Sequence, residues 1–254
     1  MKLKSAISIL PVASVLFPAV SQCFMHTKRS FGRTCRTSKL EMATGGALNV
    51  KAIGIGSSTP SLVLTNLDLE KVVETSDEWI STRTGISERR VLTHDKMSPS
   101  EDGKAGETLS TLSSTAAHHA LLMSGVSPED IDLIVMCTSS PDDLFGDATT
   151  VQANLGCTNA VAFDLTAACS GFLFGSVTAA QFLTTNPSMK HAIVVGADAL
   201  SRWVDWEDRN SCILFGDGAG AMVLTKCESG DDYLGLLGYS MHSNGNSHAD
   251  LMCG

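Results

Sequence analysis

No two cysteines of this 254-residue sequence stand in a C-x-x-C pair, although there are eight of them. A disulfide framework is therefore without its usual pattern, and a reducing compartment fits better. Most of these thiols are expected to be small buried hydrophobes. Basic runs are also missing from the body of the chain. The net charge is −9, yet Lys2, Lys4, Lys28, Arg29, Arg33, Arg36 and Lys39 all fall in the first 40 residues, which hold no acid. The 18 basic residues less these seven leave 11 against 27 acidic ones. Such a body repels nucleic acid and anionic membrane, so no nucleic-acid partner is expected. Internal repeats and low-complexity tracts are absent as well. With 43% hydrophobic and 6% aromatic residues, the chain has material for one large core or two modest ones, and it reads as a globular protein.

Lys2 and Lys4 precede an apolar stretch from Ala6 to Val20, broken by Pro11 and Pro18 and followed by Ser21, Gln22 and Cys23. That is the grammar of a signal peptide, and it is short for a membrane span. From Phe24 to Leu40 the residues turn basic and hydroxyl-rich, as in transit peptides. The two signals in series resemble the bipartite presequences of algae whose plastids lie behind an endomembrane. Residues 1–44 are accordingly expected to be a targeting presequence for plastid delivery, with plain secretion the alternative. The mature form is not expected to be a membrane protein.

From Gly45 onward, strand and helix patterns alternate. Asn49–Gly56 is a short apolar strand running into a turn at Ser57–Pro60. Asn66 is expected to cap a helix through about Glu74, and Thr75 with Glu78 a second one through Trp79 and Arg83. Met97–Ala105 reads as a loop and Gly106–Ser124 as a helix. Ile131–Cys137 is a nearly continuous apolar strand of the kind buried on both faces. Then follow helix over Asp147–Leu155, strand over Ala160–Leu165, helix over Ser170–Thr184, and strands over His191–Gly196, Ala219–Lys226 and Tyr233–His242. This alternation argues for an α/β fold with a mixed, largely parallel sheet layered between helices. Gly54-Ile-Gly56 lacks the third glycine of a dinucleotide fingerprint, and no Lys-Ser or Lys-Thr follows Gly216–Gly220 as a P-loop requires. His118 and His119 are neighbours on a helix, point to different faces and cannot chelate one metal together. No metal site is expected.

Cys169 keeps distinctive company in Phe163-Asp-Leu-Thr-Ala-Ala-Cys-Ser-Gly-Phe172, where a strand delivers a thiol to the first turn of an apolar helix. Ala167, Ala168, Ser170 and Gly171 allow a tight turn and let a substrate approach the sulfur. The helix carries Phe172, Leu173, Phe174, Val177, Ala180 and Phe182 around most of its circumference, so burial is expected. A buried helix leaves its dipole poorly screened, with roughly half a positive charge at its N-terminus, and cysteines in such positions are activated as nucleophiles. On these residues alone, a catalytic Cys169 and an inert core cysteine both stay open.

The segment resembles the nucleophile elbow of the β-ketoacyl-acyl carrier protein synthase III family, condensing enzymes of thiolase-like fold. The likeness extends in register through Thr75-Ser-Asp-Glu-Trp-Ile80, Arg83-Thr-Gly-Ile86, Asp208-Arg209 and Phe215-Gly-Asp-Gly-Ala-Gly-Ala221, over about Val50 to Gly245. It implies that Cys169 takes an acyl group from acyl-CoA, usually acetyl-CoA, and that the acyl-enzyme condenses with malonyl-acyl carrier protein. It also implies that Trp79 stacks on the CoA adenine, that Arg83 and Arg209 hold the nucleotide end, and that Thr75 lies beside them. An indole face suits a purine, and a guanidinium is a bidentate phosphate partner. Without the family, Trp79 reads as core filling and Arg83 as a solvated helix residue. Phe145 and Phe215 are assigned to the acyl pocket, Phe145 reaching toward the partner subunit of a homodimer across a loop that holds Asp142, Asp143 and Asp147. No cofactor is implied, because the CoA thioester is itself a substrate.

The family completes its site with His and Asn in motifs resembling His-Gln-Ala-Asn and Gly-Asn-Thr-Ser, neither of which occurs in this sequence. Residues 45–230 are therefore expected to be the N-terminal, nucleophile-bearing half of the fold, and 231–254 the truncated start of its C-terminal half. Losing preorganised oxyanion donors typically costs about 10²–10³ in rate, so this stretch alone is expected to accept an acyl group better than it condenses one. The alternatives are another thiolase-fold acyl-CoA condensing enzyme, of hydroxymethylglutaryl-CoA or polyketide type, and a non-catalytic acyl-CoA-binding half-fold.

Overall fold

The computed structural model of the protein describes residues 43–92, 106–227 and 235–247. The presequence expected at 1–44, apart from its last two residues, the loop expected at Met97–Ala105, and residues 231–234 and 248–254 of the expected second-half segment lie outside the described residues. Those from 43 to 242 belong to one compact unit; 243–247 belong to another, of which a 3-10 turn at Gly245–Ser247 is described.

In chain order the first unit runs β1 (Ala43–Gly45), β2 (Val50–Ser58), β3 (Val63–Thr65), α1 (Asn66–Leu69), α2 (Asp77–Thr84), β4 (Glu88–Arg90) and α3 (Leu109–Ser124). It continues with β5 (Leu133–Cys137), α4 (Ala148–Leu155), β6 (Val161–Leu165), α5 (Gly171–Thr185), β7 (His191–Ala199), β8 (Asp217–Lys226) and β9 (Tyr239–Met241). The central sheet has the order β2-β8-β7-β5-β6. β5, β6 and β7 are parallel, while β8 is antiparallel to both β7 and β2. Four of the five strands thus share one direction, which is the mixed, largely parallel sheet the sequence pattern predicts. β3 pairs antiparallel with β4 across α1 and α2, and β1 pairs with β9.

The period of two along the strands divides the core between the faces of the sheet. Ile134 and Met136 of β5 join Ile193 and Val195 of β7 against α3, through Ala116, Ala117 and Ala120. Leu133, Val135 and Cys137 join Ala192 and Val194 against α5, through Ala179, Ala180 and Leu183. Small residues set how closely these layers approach. A Cβ at Gly54 would stand 2.2 Å from the Ala120 carbonyl oxygen, one at Gly56 would stand 2.2 Å from that of Ala116, and one at Gly175 would stand 2.3 Å from Cys137 Sγ. The glycines of β2 therefore serve helix packing. A third cluster of Leu69, Ile80, Cys212 and Ile213 has Trp79, Trp206 and Leu64 of β3 packed on it.

Three expectations change at the level of caps and faces. Thr65, not Asn66, caps α1, because Thr65 Oγ1 accepts from Asp68 N while the Asp68 carboxylate accepts from Thr65 N, and the α-helix ends at Leu69, short of Glu74. Asn66 turns inward instead. Ser76, not Thr75, caps α2 by accepting from Trp79 N at 3.1 Å. One residue further on, the position that would return the bond is Trp79, which has no carboxylate, so no capping box forms. Finally, α5 is covered on one side only. Gly175, Val177, Ala179, Ala180 and Leu183 are buried, but Leu173 is 68% exposed and Phe182 lies at the surface, 6.0 Å between ring centroids from Phe163.

Candidate active site

β6 ends at Leu165, and the chain turns through a 3-10 segment, Ala168–Ser170, before α5 begins at Gly171. Cys169 therefore sits one tight turn ahead of α5, slightly earlier than a first-turn position. Ala168 has φ +45°, the left-handed region that costs a residue with a Cβ about 1–3 kcal/mol. That strain lies immediately before the sulfur-bearing residue and coincides with its exposure: Cys169 is the exposed thiol, whereas Cys137, Cys157 and Cys212 are buried. Burial pushes the Cys137 and Cys157 thiols up to about 11 and raises that of Cys212 as well. These three are protonated core residues at neutral pH, as expected for most of the thiols.

Cys169 opens into a cleft of about 530 Å³ whose other walls are Phe172 of α5, the end of β7 at Gly196–Asp198 and the glycine-rich face of β8 from Gly218 to Met222. β7 and β8 pair there with Gly196 opposite Gly220 and Asp198 opposite Gly218, so glycine backbone forms part of the wall, alongside Ala197, Ala219, Ala221 and Met222. Asp198 is the carboxylate of the cleft. It accepts from Ser139 N at 2.8 Å and from Ser140 Oγ at 2.9 Å, which ties it to the end of β5. Cys137 reaches the same cleft from beneath.

The predicted nucleotide-binding residues come together elsewhere in the unit. The Arg83 guanidinium carbon lies 4.3 Å from the centroid of the Trp79 ring and that of Arg209 lies 4.6 Å from it. Arg83 is held by the Trp79 carbonyl and Arg209 by the Glu74 carbonyl, the residue before Thr75. Thr75 Oγ1 is buried and has no hydrogen-bond partner among the described residues. Asn210, beside Arg209, donates through both its backbone and side-chain nitrogens to Asp208 Oδ1, closing a turn that presents Arg209. The spot thus combines an aromatic face, two guanidinium groups and an unused hydroxyl, the donor set a nucleotide with phosphates requires.

Phe145 and Phe215 do not line the Cys169 cleft. Phe215 is half-buried. Phe145 is 96% exposed beside Leu144 at 91%, at the rim of a separate hollow of about 320 Å³. Carboxylates hold up this loop. Asp147 accepts from the amides of Asp142 and Asp143, Asp164 accepts from those of Asp147 and Ala148, and Asp143 accepts from that of Phe145. Burial works against charge on Asp142, but bonds from Ser110 and from the Arg202 guanidinium at 2.7 Å outweigh it and hold its carboxyl below the usual range. His118 and His119 are exposed, and no cluster of three or more metal-ligating side chains occurs among the described residues. Nor is any helix among them long and apolar enough to cross a membrane. Sequence reasoning took Asn66 for a helix cap and gave Asp77 and Arg89 no individual role; Asn66 bonds both of them only in the fold.

The sheet, its two flanking helix layers and the strained cysteine turn define an α/β protein of thiolase-like fold. Residues 163–245 match the family described as 3-oxoacyl-[acyl-carrier-protein (ACP)] synthase III. Over 204 residues the chain is 57% identical to the β-ketoacyl-[acyl-carrier-protein] synthase III of Synechococcus sp. (strain WH7803), a match covering 80% of this chain and 56% of the relative. The crystal structure of 3-oxoacyl-[acyl-carrier-protein] synthase III from Aquifex aeolicus VF5 superposes with a TM-score of 0.63 at 46% identity, over 72% of this chain and 55% of that one. The priming β-ketosynthase of the R1128 polyketide biosynthetic pathway gives 0.62 at 32%, over 70% and 50%. Over residues 163–245 the chain is thus similar to the β-ketoacyl-[acyl-carrier-protein] synthase III family. The chain spans slightly more than half the length of the curated relatives it matches.

Proposed function

We propose that this chain is the acyl-accepting part of a β-ketoacyl-acyl carrier protein synthase III, an acyltransferase that initiates type II fatty-acid synthesis. The observation that carries the reading is Cys169, an exposed thiol on a strained turn ahead of α5, in a cleft walled in part by the glycines of β8. The Cys169 sulfur, as thiolate, attacks the thioester carbonyl carbon of acetyl-CoA. The bond to the CoA sulfur breaks, and CoA leaves as a thiol carrying the proton that Cys169 gave up. The acetyl group is then held for condensation with malonyl-acyl carrier protein, which loses carbon dioxide as the new carbon–carbon bond forms and the acetyl bond to the Cys169 sulfur breaks, freeing the thiolate. Thiolate and thioester chemistry needs no resident cofactor.

Trp79, Arg83, Arg209 and Thr75 form the nucleotide end of the acyl-CoA site in this reading, a purine taking the place of one guanidinium on an indole face. The exposed Phe145 reaches the acyl pocket of a second copy in a homodimer, and Phe215 contributes to the pocket in its own. Residues 1–44 direct the protein to a plastid, a proposal supported by their composition and tested by fusing them to a fluorescent protein in an algal cell; retention in the cytoplasm would overturn it.

Incubation with acetyl-CoA is expected to add one acetyl group, located on Cys169 by peptide mass spectrometry, and Cys169→Ala is expected to abolish it. Acetylation that persists in that variant would sink the assignment. A polyketide-type priming synthase is the second reading, favoured by the likeness to the R1128 enzyme. The two are told apart by the extender: turnover with malonyl-acyl carrier protein supports the first, and turnover with malonyl-CoA supports the second.

A further inference from the structure

We infer that Asn66 and Arg89 are positioning residues for the nucleotide site, an interior clamp that holds Trp79 and Arg83 on one segment in register with Arg209 on another. The inference rests on the reading of that site as the acyl-CoA site. Arg83 and Trp79 ride on α2, whereas Arg209 belongs to the turns that follow β7, and one buried chain of hydrogen bonds joins the two. Asn66 is 1% exposed and Arg89 is 6% exposed. Asn66 Nδ2 donates at 2.7 Å to Asp77 Oδ1, in the first turn of α2, and at 2.7 Å to the Ile86 carbonyl just beyond its end. Asn66 Oδ1 accepts from Arg89 Nη2 at 2.9 Å. The same Nη2 donates at 3.1 Å to the carbonyl of Ile213, four residues after Arg209, and Nη1 donates to the Leu64 carbonyl.

The charge balance argues that this clamp is more than packing. Arg89 meets carbonyl and amide oxygens but no carboxylate among the described residues, and its Nε has no partner there. Burying a guanidinium without a counter-ion costs more than filling the space with an aliphatic chain. A planar fork with several donors is, however, the side chain able to tie three segments at fixed angles. The unneutralised charge also adds positive potential under a site built to receive phosphates. Asp77, at the surface end of the chain, takes a second bond from Ser81 Oγ, so the clamp reaches the exposed face of α2.

The test compares two acyl donors on the full-length protein: acetyl-CoA, which fills the nucleotide site, and the acetyl thioester of N-acetylcysteamine, which does not reach it. Arg89→Lys keeps the charge but loses the fork, and Asp77→Asn weakens the link from an exposed position where unfolding is not a concern. Each is expected to raise the KM of Cys169 acetylation by acetyl-CoA and to leave the rate with the small thioester unchanged. The rise is about tenfold for Arg89→Lys, which loses a charge-assisted hydrogen bond, and less for Asp77→Asn, whose Oδ1 still accepts from Asn66 without the charge. Equal losses with both donors in either folded variant, or no loss with acetyl-CoA in Asp77→Asn, would overturn the inference alone. If the unmodified protein itself shows no preference for acetyl-CoA over the small thioester, the nucleotide-site reading falls and the clamp falls with it.

Discussion

Cys169 and Cys137 line one cleft yet differ in everything that decides thiol chemistry. Cys137 packs its sulfur where α5 has Gly175, and burial pushes it to about 11, while Cys169 stands in the open on a turn strained at Ala168. Alkylation by iodoacetamide at neutral pH is expected to label Cys169 and to spare Cys137, Cys157 and Cys212 in the folded protein, as peptide mapping can check. Labelling of Cys137 at a comparable rate would contradict the burial argument. The buried thiols also predict a pH dependence. A thiol whose folded pKa lies above its unfolded value keeps its proton longer in the native state, so the unfolded state binds fewer protons at alkaline pH. Stability is therefore unaffected below about pH 8.5 and falls as pH rises toward about 11 for Cys137 and Cys157. The loss is on the order of 2 kcal/mol for each. Urea titrations at a series of pH values should show the fall, and the double variant Cys137→Ala, Cys157→Ala should flatten it. Cys169 stood out in the sequence because small residues flank it on both sides, although those residues alone leave a catalytic and an inert thiol both open. The clamp was not legible, because Asn66 reads as a helix cap and nothing singles out Arg89 until the fold joins it to Asn66 and Ile213.

The close seat of α3 on β2 is an element-level property that depends on two absent side chains. Gly54→Val is expected to force its Cβ into the Ala120 carbonyl and destabilise the protein by about 1–3 kcal/mol or more, read as a lower urea midpoint at unchanged slope. Gly46→Ala, where nothing lies within 4 Å, is the control and should be nearly neutral. At the helix starts, local chemistry set the boundary to within a residue. Thr65 and Asn66 are both good caps, as are Thr75 and Ser76, and the sequence pattern does not choose between neighbours. The choice fell where the other residue was needed inward: Asn66 for Asp77 and Arg89, and Thr75 with its hydroxyl buried and unpaired. The length of β7 was underestimated for a related reason. Ala197–Ala199 are not strongly apolar, and only pairing with Asp217–Ala219 extends the strand.

Large apolar residues are exposed at Leu144 and Phe145, on α5 at Leu173 and Phe182, and on the edge strand β6 at Val161. Monomeric soluble proteins seldom leave such groups uncovered. Residues 45–254 expressed alone are expected to bind a hydrophobic dye and to self-associate at micromolar concentration; a monodisperse, dye-silent monomer by light scattering would contradict this. What the sequence determined by itself is the α/β alternation, the doubly buried β5 and the cysteine elbow, because hydrophobic period and small flanking residues are local signals carried by a few consecutive positions. Tertiary structure decided the strand order with β8 reversed between β2 and β7, the one-sided burial of α5, and the meeting of Trp79, Arg83 and Arg209 above the Asn66–Arg89 clamp. Each of these depends on which distant segments lie side by side, and no local pattern encodes that; only the packing of the whole sheet and its layers does.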